Sequence, residues 1–382
     1  MHQLPVPLQN PVSEYRLLQT DIEAAVHRCL EAGVFEWGPE VPAFETEFAE
    51  LVGARHAVST NSGLAALKLA LRALGIGSGD EVITVPNSDI ATTSAIHAVG
   101  AHSVWVDVEP DTLNMDPNLV EAAITARTRA ILPVHLYGHP AAMPALSEIA
   151  RRHNLLIVED ACLALGAFIE GRHIGSWSDI ACYSHAPSKH LGAIGTGGTA
   201  TTNDAGLAER LQLYAGYGQP RERSYTQGIM GLPQRLLVEG YNERLDEIQA
   251  AVLRVKLPYV FRWIEARRAN AQVYGQALRG SGIDLPVERQ GYRHSYRNYV
   301  IQVAGREQVQ RRLTEAGVAT AILYVPPLHL QPVYRRLGYK AGSFPVTEAA
   351  ADRLLSIPVG PTLTPAQRDH VVATLLEACG DP

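Results

Sequence analysis

Residues 155–161 read LLIVEDA. Four apolar residues in succession, without alternation, ask for a strand covered on both faces, as strands of a parallel sheet are. Immediately before it, MPALSEIARRHN (143–154) reads as a helix, and after it DIACYSH (179–185) reads as another strand. The same rhythm extends upstream. HAVST, EVITVP, HSVWVDV and the stretch from Ala130 to His135 read as strands, while NSGLAALKLALRALG and SDIATTSAIHAVG read as helices between them. GGTATTND (197–204) closes the region. Strands and helices in alternation predict an α/β fold with a mostly parallel central sheet, helices on both faces and right-handed connections.

Outside this block the pattern changes. Residues 14–33 have helical spacing and stop at Gly33, VFEWGPEV is an aromatic loop, and FETEFAELVG is a short helix. Residues 205–217 and 241–280 read as helical, the latter long enough to link two domains. Beyond about residue 280 come short strands and helices: YRNYVIQV, EQVQRRLTEAG, VATAILYV, TEAAADRLLSIPV and TPAQRDHVVATLLEA. We expect a large domain over residues 1–250, N-terminal helices included, and a smaller α+β domain over 251–382.

The bulk numbers exclude several classes. With 382 residues, 46% hydrophobic and 19% charged, the chain has enough apolar content for sizeable cores. A net charge of -6 without a Lys/Arg block argues against nucleic acid or an anionic membrane as partner; the most basic stretch, around Arg221 and Arg223, reads as a solvated loop. Cys29, Cys162, Cys182 and Cys379 have no metal-ligand spacing and read as reduced, mostly buried thiols, so no metal is expected. The N-terminal stretch lacks the pattern of a signal peptide, and no apolar run approaches the ~18 residues of a membrane span. The expectation is a cytoplasmic protein.

Three stretches carry chemistry. Asp160 stands at the carboxyl end of LLIVEDA, where open parallel sheets bind ligands. An acid there can pair with a protonated ring nitrogen, although a helix cap or loop carboxylate would look the same. CYSHAPSKHLGAIGTGG (182–198) places Lys189 in a loop followed by Gly192, Gly195, Gly197 and Gly198. Glycines admit close backbone approach, and a lysine desolvated among them becomes a nucleophile able to form an imine with an aldehyde cofactor. Taken alone it would read as a surface lysine; Asp160 upstream changes that reading. Ser184 can donate to a phosphate. In STNSGLAALKLAL (59–71), Ser62, Gly63 and Leu64 open a helix whose free N–H groups suit an anion, though many helices begin with Ser-Gly as a plain cap.

These residues, with WGPEVPAFETEFAELVGARHAVSTNSGLAALKLAL, DVEPDTLNMDP, VEDACLALGA, GRHIGSWSDIACYSHAPSKHLGAIGTGG, GYNERLDEIQAAVL and YVPPLHLQPVY, resemble the DegT/DnrJ/EryC1/StrS group, sugar aminotransferases of the aspartate-aminotransferase fold. The resemblance implies pyridoxal 5'-phosphate as cofactor, Lys189 as its Schiff-base lysine and proton shuttle, and Asp160 as partner of the pyridine nitrogen. It implies that Ser184, Ser62, Gly63 and Leu64 hold the phosphate. Asn242 would reach the cofactor of a neighbouring subunit, which makes the protein a homodimer with shared active sites. His329 and Tyr324 would lie on the substrate side, although His329 reads equally as a structural histidine beside a proline-rich turn. The substrates implied are a keto sugar, nucleotide-linked, or a keto cyclitol, with L-glutamate or L-glutamine as amino donor.

The chain departs from the group at several positions. Asp89 stands where an aromatic residue stacks on the cofactor, Leu163 where glutamine is frequent, and Leu64 where threonine is common. Tyr217 replaces a histidine, and Glu243 the aromatic of an Asn-aromatic-Arg motif. Together they imply an altered pocket around the Lys189–Asp160 core, with Asp89 facing a hydroxyl-rich or amino substrate. Because lysine rather than histidine occupies position 189, transamination is favoured over dehydration; another PLP reaction on a sugar, or a PLP-binding regulator without turnover, are the rival readings.

Overall fold

A computed structural model describes residues 5–220 and 236–380, so the loop of Arg221 and Arg223 lies outside the described residues. The chain opens with helices α1 (Pro11–Leu17), α2 (Gln19–Ala32) and α3 (Glu40–Val52). Then β1 (His56–Thr60), α4 (Gly63–Ala73), β2 (Glu81–Thr84), α5 (Ile90–Ala98), β3 (His102–Trp105), α6 (Pro117–Val120), β4 (Thr128–Ile131), α7 (Met143–His153) and β5 (Leu156–Asp160) alternate. A small ribbon, β6 (Phe168–Ile169) and β7 (Arg172–His173), precedes β8 (Ile180–Ser184), β9 (Gly198–Thr202) and α8 (Ala205–Ala215). The remainder is α9 (Glu247–Lys256), α10 (Val260–Ala277), β10 (Tyr292–Arg293), β11 (Tyr299–Gln302), α11 (Arg306–Glu315), α12 (Pro345–Ala351), β12 (Leu354–Ile357) and α13 (Pro365–Gly380).

Seven strands form one sheet in the order β1-β9-β8-β5-β4-β2-β3. All neighbours from β8 to β3 are parallel; β9 alone runs against both β1 and β8. The turn-and-loop connection from β8 to β9 contains no helix, and parallel strands need a crossover that usually contains one. The sheet is covered on both faces, as its unalternating strands require. Val158 of β5 packs with Leu67 and Leu71 of α4, Ile96 of α5 and Leu211 of α8, while its neighbour Ile157 packs with Met143, Leu146 and Ile149 of α7. This two-sided burial places the end of β5 in the middle of the molecule.

A second, smaller core gathers Tyr274 of α10, Tyr299 and Ile301 of β11, Leu313 of α11, Leu355 of β12 and Leu375 of α13 around the antiparallel β11–β12 pair. The N-terminal segment belongs to this core as well: Val6 bridges Val318 and is buried there. Three expectations change in detail. The run over residues 14–33 begins earlier, at Pro11, where Asn10 caps α1, accepting from the Ser13 N–H at 3.0 Å, and it is two helices that meet at Leu18, whose backbone (φ -124°, ψ 17°) is not helical. The long segment over 241–280 is likewise two α-helices, with the short turn Leu257–Tyr259, containing Pro258, between them. VATAILYV is not a strand; among the described residues only single bridges form, Val318 to Val6 and Ala321 to Ser356, before the chain enters the Pro326–Pro327 turn.

Candidate active site

Strand alternation decides which acid of β5 faces which side. Glu159 points with Ile157 and is fully buried against His135 Nε2 at 2.7 Å and the Gly175 N–H at 2.9 Å. Asp160 points the other way, toward α5. Its Oδ2 accepts from Thr92 Oγ1 at 2.7 Å and its Oδ1 from the Cys162 N–H at 3.2 Å. The Thr92 hydroxyl proton goes to the carboxylate, so Ser88 Oγ, 2.8 Å away, is the donor to Thr92. The carboxylate is therefore 5% exposed, oriented on both oxygens, and still has lone pairs for a ligand.

Lys189 follows β8. Its N–H donates to Ala186 O at 2.8 Å, His185 N–H donates to Gly197 O at 2.7 Å, and Lys256 Nζ donates to Gly192 O at 2.6 Å, so the loop is fastened at both ends. Gly192 is required there: a Cβ would lie 2.5 Å from Pro187 O. Burial holds the Lys189 ammonium below its ordinary range; Cys162, Asp160 and Asp89 act against that shift and Arg297 reinforces it. Tyr324 lies in the same group. Burial pushes its phenol up, Asp89, Asp160 and Cys162 push it further, and Arg297 opposes them. One small region thus contains the Lys189 amine, the Asp160 carboxylate, Asp89, Tyr324, Cys162 and Arg297.

Beside them is a cradle of backbone. Ser62 caps α4, its Oγ accepting from the Ala65 N–H at 3.1 Å and its carbonyl from the Ala66 N–H at 3.0 Å. Among the described residues no acceptor takes the Gly63 or Leu64 N–H, and both belong to the positive end of α4. A Cβ on Gly63 would sit 2.8 Å from Ser184 Cβ and 2.9 Å from Cys162 Sγ; one on Gly198 would sit 2.3 Å from Ser62 O. The register pairs Gly198 with both Thr60 and Ser184, which brings the ends of β1 and β8 together over the start of β9. Two free N–H groups and the Ser184 hydroxyl suit a phosphate, and the carboxylate and amine nearby suit a ring nitrogen and an aldehyde.

The remaining candidates fall into different surroundings. Asp89 is exposed and caps α5, accepting from the Ala91 N–H at 2.9 Å. Leu163 is buried in the core under α7. Asn242 is exposed, with its carbonyl 3.5 Å from Asn61 Nδ2, next to Ser62. His329 is buried, bonded through Nε2 to Glu348 at 3.0 Å and edge-on to Phe344, and among the described residues its Nδ1 has no partner. Glu243 forms an ion pair with Lys68, which lies over the Tyr241 ring. Tyr217 and Trp37 both lie against the Arg244 guanidinium.

Sequence reasoning passed over Thr92 and Arg297. Thr92 had a signal, since a hydroxyl residue, Ser88, stands four before it, just ahead of the Asp89 cap. Arg297 had none, because nothing local distinguishes it from a solvated arginine.

The chain is similar to known proteins over most of its length. Residues 17–376 match the model of the DegT/DnrJ/EryC1/StrS aminotransferase family. It is 45% identical over 371 residues to the erythromycin biosynthesis sensory transduction protein EryC1 of Saccharopolyspora erythraea, covering 97% of this chain and 98% of that protein. It is 42% identical over 373 residues to a dTDP-3-amino-3,4,6-trideoxy-alpha-D-glucose transaminase of Streptomyces venezuelae, covering 97% and 96% of the two chains. The crystal structure of S. venezuelae DesV in complex with a ketimine intermediate superposes with a TM-score of 0.94 at 42% identity, over 99% of each chain.

Proposed function

The chain belongs to the DegT/DnrJ/EryC1/StrS aminotransferase family, and on that premise we propose that it transfers an amino group from L-glutamate or L-glutamine to a keto sugar, nucleotide-linked, or a keto cyclitol. The observation that carries this reading is the meeting of Lys189 and Asp160 in one buried charge neighbourhood beside the Gly63–Ser184 cradle. When bound, pyridoxal 5'-phosphate supplies an electron-accepting ring. The protein's part is then electrostatic and positional. Asp160, aimed by Thr92, would hold the proton on the ring nitrogen. The Gly63 and Leu64 N–H groups, with Ser62 and Ser184, would bind the phosphate. Burial favours the uncharged form of Lys189 Nζ, so that the amine would take the proton from the donor's α-carbon and later return one to the acceptor carbon. Tyr324 and Asp89 face the substrate. Asn242, exposed on the single chain, is suited to complete a partner's site in a homodimer.

Two other readings use the same scaffold. Dehydration is disfavoured because position 189 is lysine. A PLP-binding regulator is suggested by the word "sensory" in the name of EryC1, and is disfavoured by the intact Lys189–Asp160 pair. The deciding experiment is the absorption spectrum of the purified yellow protein with L-glutamate and then with L-glutamine. Conversion to the pyridoxamine form by either identifies reaction and donor together, and Lys189→Ala abolishes it. A colourless, fully active Lys189→Ala protein overturns the assignment.

A further inference from the structure

Glu243 stands where the group has an aromatic residue, and its side chain is tied to another element. Its Oε1 is ion-paired with Lys68 Nζ of α4. The Glu243 and Lys68 side chains are only 17% and 12% exposed, and Lys68 Nζ also lies 3.9 Å from the centre of the Tyr241 ring. Among the described residues Glu243 Oε2 has no partner. A largely buried ion pair gains little net stability over apolar side chains of the same size, so stability alone does not account for it.

What the pair fastens is a short piece of backbone. Residues 241–244 belong to no strand of the sheet and run between the end of α8 and the turn from β1 into α4. On the α8 side the Tyr241 N–H donates to Tyr214 O at 2.7 Å, the Tyr217 N–H to Tyr241 O at 2.9 Å and the Glu243 N–H to Ala215 O at 3.0 Å. On the other side the Glu243 carbonyl accepts from the Asn61 N–H at 3.0 Å, and Arg244 bridges Thr60. Asn61 Oδ1 in turn accepts from the Ser62 hydroxyl at 3.3 Å, and Ser62 begins the cradle. The Thr60–Ser62 turn therefore lies between Gly198 of β9, packed beneath the Ser62 carbonyl, and the 241–244 segment. Glu243 grips the start of α4 twice, by its carbonyl at Asn61 and by its carboxylate at Lys68, more than a turn beyond Gly63.

We infer that Lys68 and Glu243 are a positioning pair for the phosphate cradle, holding the Asn61–Ser62 turn where the Gly63 and Leu64 N–H groups face an anion. The inference rests on the reading of that cradle as a phosphate site. Without the side-chain grip, the turn is held on this flank by main-chain bonds alone. A purely electrostatic role predicts something else. Glu243 would repel an anion and Lys68 attract it, so losing the carboxylate would strengthen phosphate binding and losing the amine would weaken it. Positioning predicts weaker binding from either loss.

The test compares pyridoxal 5'-phosphate with pyridoxal, which has the same ring and aldehyde without the phosphate, by equilibrium dialysis of the full chain freed of cofactor. Lys68→Met is expected to weaken pyridoxal 5'-phosphate about tenfold, within the range of coupling between contacting groups, and to leave pyridoxal unchanged. Glu243→Gln is expected to weaken it several-fold, and provides the result should Lys68→Met not fold. Tighter binding of pyridoxal 5'-phosphate by Glu243→Gln overturns the inference in favour of charge. Unchanged affinity for pyridoxal 5'-phosphate in either folded variant overturns it as well. So does an equal loss for both ligands, which would mark a pair that serves stability only. A wild-type protein that holds pyridoxal 5'-phosphate no better than pyridoxal instead sinks the cradle reading, and the inference with it.

Discussion

Thr92 Oγ1 donates to Asp160 Oδ2 at 2.7 Å, so a helix packed on one face of the sheet aims the acid at the end of its central strand. Thr92→Val keeps the shape of the side chain and removes the donor. We expect a loss of about 1–2 kcal/mol in unfolding free energy, since one buried carboxylate oxygen loses its partner. Turnover should fall more than tenfold if the aim of the carboxylate matters to chemistry, with cofactor content little changed. Chemical denaturation and single-turnover spectra measure the two effects separately.

Gly198 lies beneath the Ser62–Gly63 backbone, and a methyl group there would meet a carbonyl carbon at 2.4 Å. Backbone cannot rotate aside as a side chain can. Gly198→Ala should cost roughly 1–3 kcal/mol through overpacking and should also spread the cradle. The paired outcome is a lower melting temperature and a weaker hold on pyridoxal 5'-phosphate, read by equilibrium dialysis.

Asp89 has two roles that different substitutions separate. As the cap of α5 it contributes about 1 kcal/mol, which Asp89→Phe loses and Asp89→Asn keeps. As a negative charge it favours the ammonium of Lys189. Asp89→Asn should therefore lower the lysine's pKa further, moving the acid limb of its labelling by an amine reagent to lower pH in cofactor-free protein. Asp89→Phe should change substrate preference more than cofactor content. Equal cofactor loss with unchanged preference would count against a substrate role.

His185 predicts a window of acid sensitivity. It is fully buried, with Phe44 and Phe48 edge-on to its ring. The Nδ1–H donates to Leu191 O at 3.1 Å, which fixes the tautomer, and Nε2 accepts from the Thr199 hydroxyl at 2.8 Å. Burial holds its pKa down to about 4, and the Leu191 carbonyl only partly opposes that. The unfolded chain binds the proton first, near pH 6.5. Stability is thus retained above pH 6.5 and declines as the pH falls toward about 4, by up to about 3 kcal/mol from this ring. His173, also buried and held down to about 4, adds to the same window. His185→Gln should lower stability at pH 7 and flatten the slope of unfolding free energy between pH 6 and pH 4.

The parts visible in the sequence were those set by local pattern. Apolar runs located the strands of the large sheet, and Ser62 and Asp160 could be placed at element ends because periodicity fixes where elements stop. The direction of β9 was not visible, since a strand's residues do not encode which way its neighbours run. The breaks at Leu18 and Pro258 lie inside apolar patterns that continue across them. Thr92 and Arg297 were missed because the features that mark them are distant in sequence: an acid on another strand, and an amide from the N-terminal segment.

The reversed strand β9 also has a consequence for how the molecule is made. Its first residue pairs with the ends of both β1 and β8, so the cradle is stitched from three pieces of chain, and the piece that joins them is synthesised last. A nascent chain that has completed β8 can already pack α4 on that strand, yet it lacks the strand that hydrogen-bonds β1 to β8. The β1 flank of the sheet, from which the cradle hangs, is therefore joined to the rest only once residues 198–202 have been made.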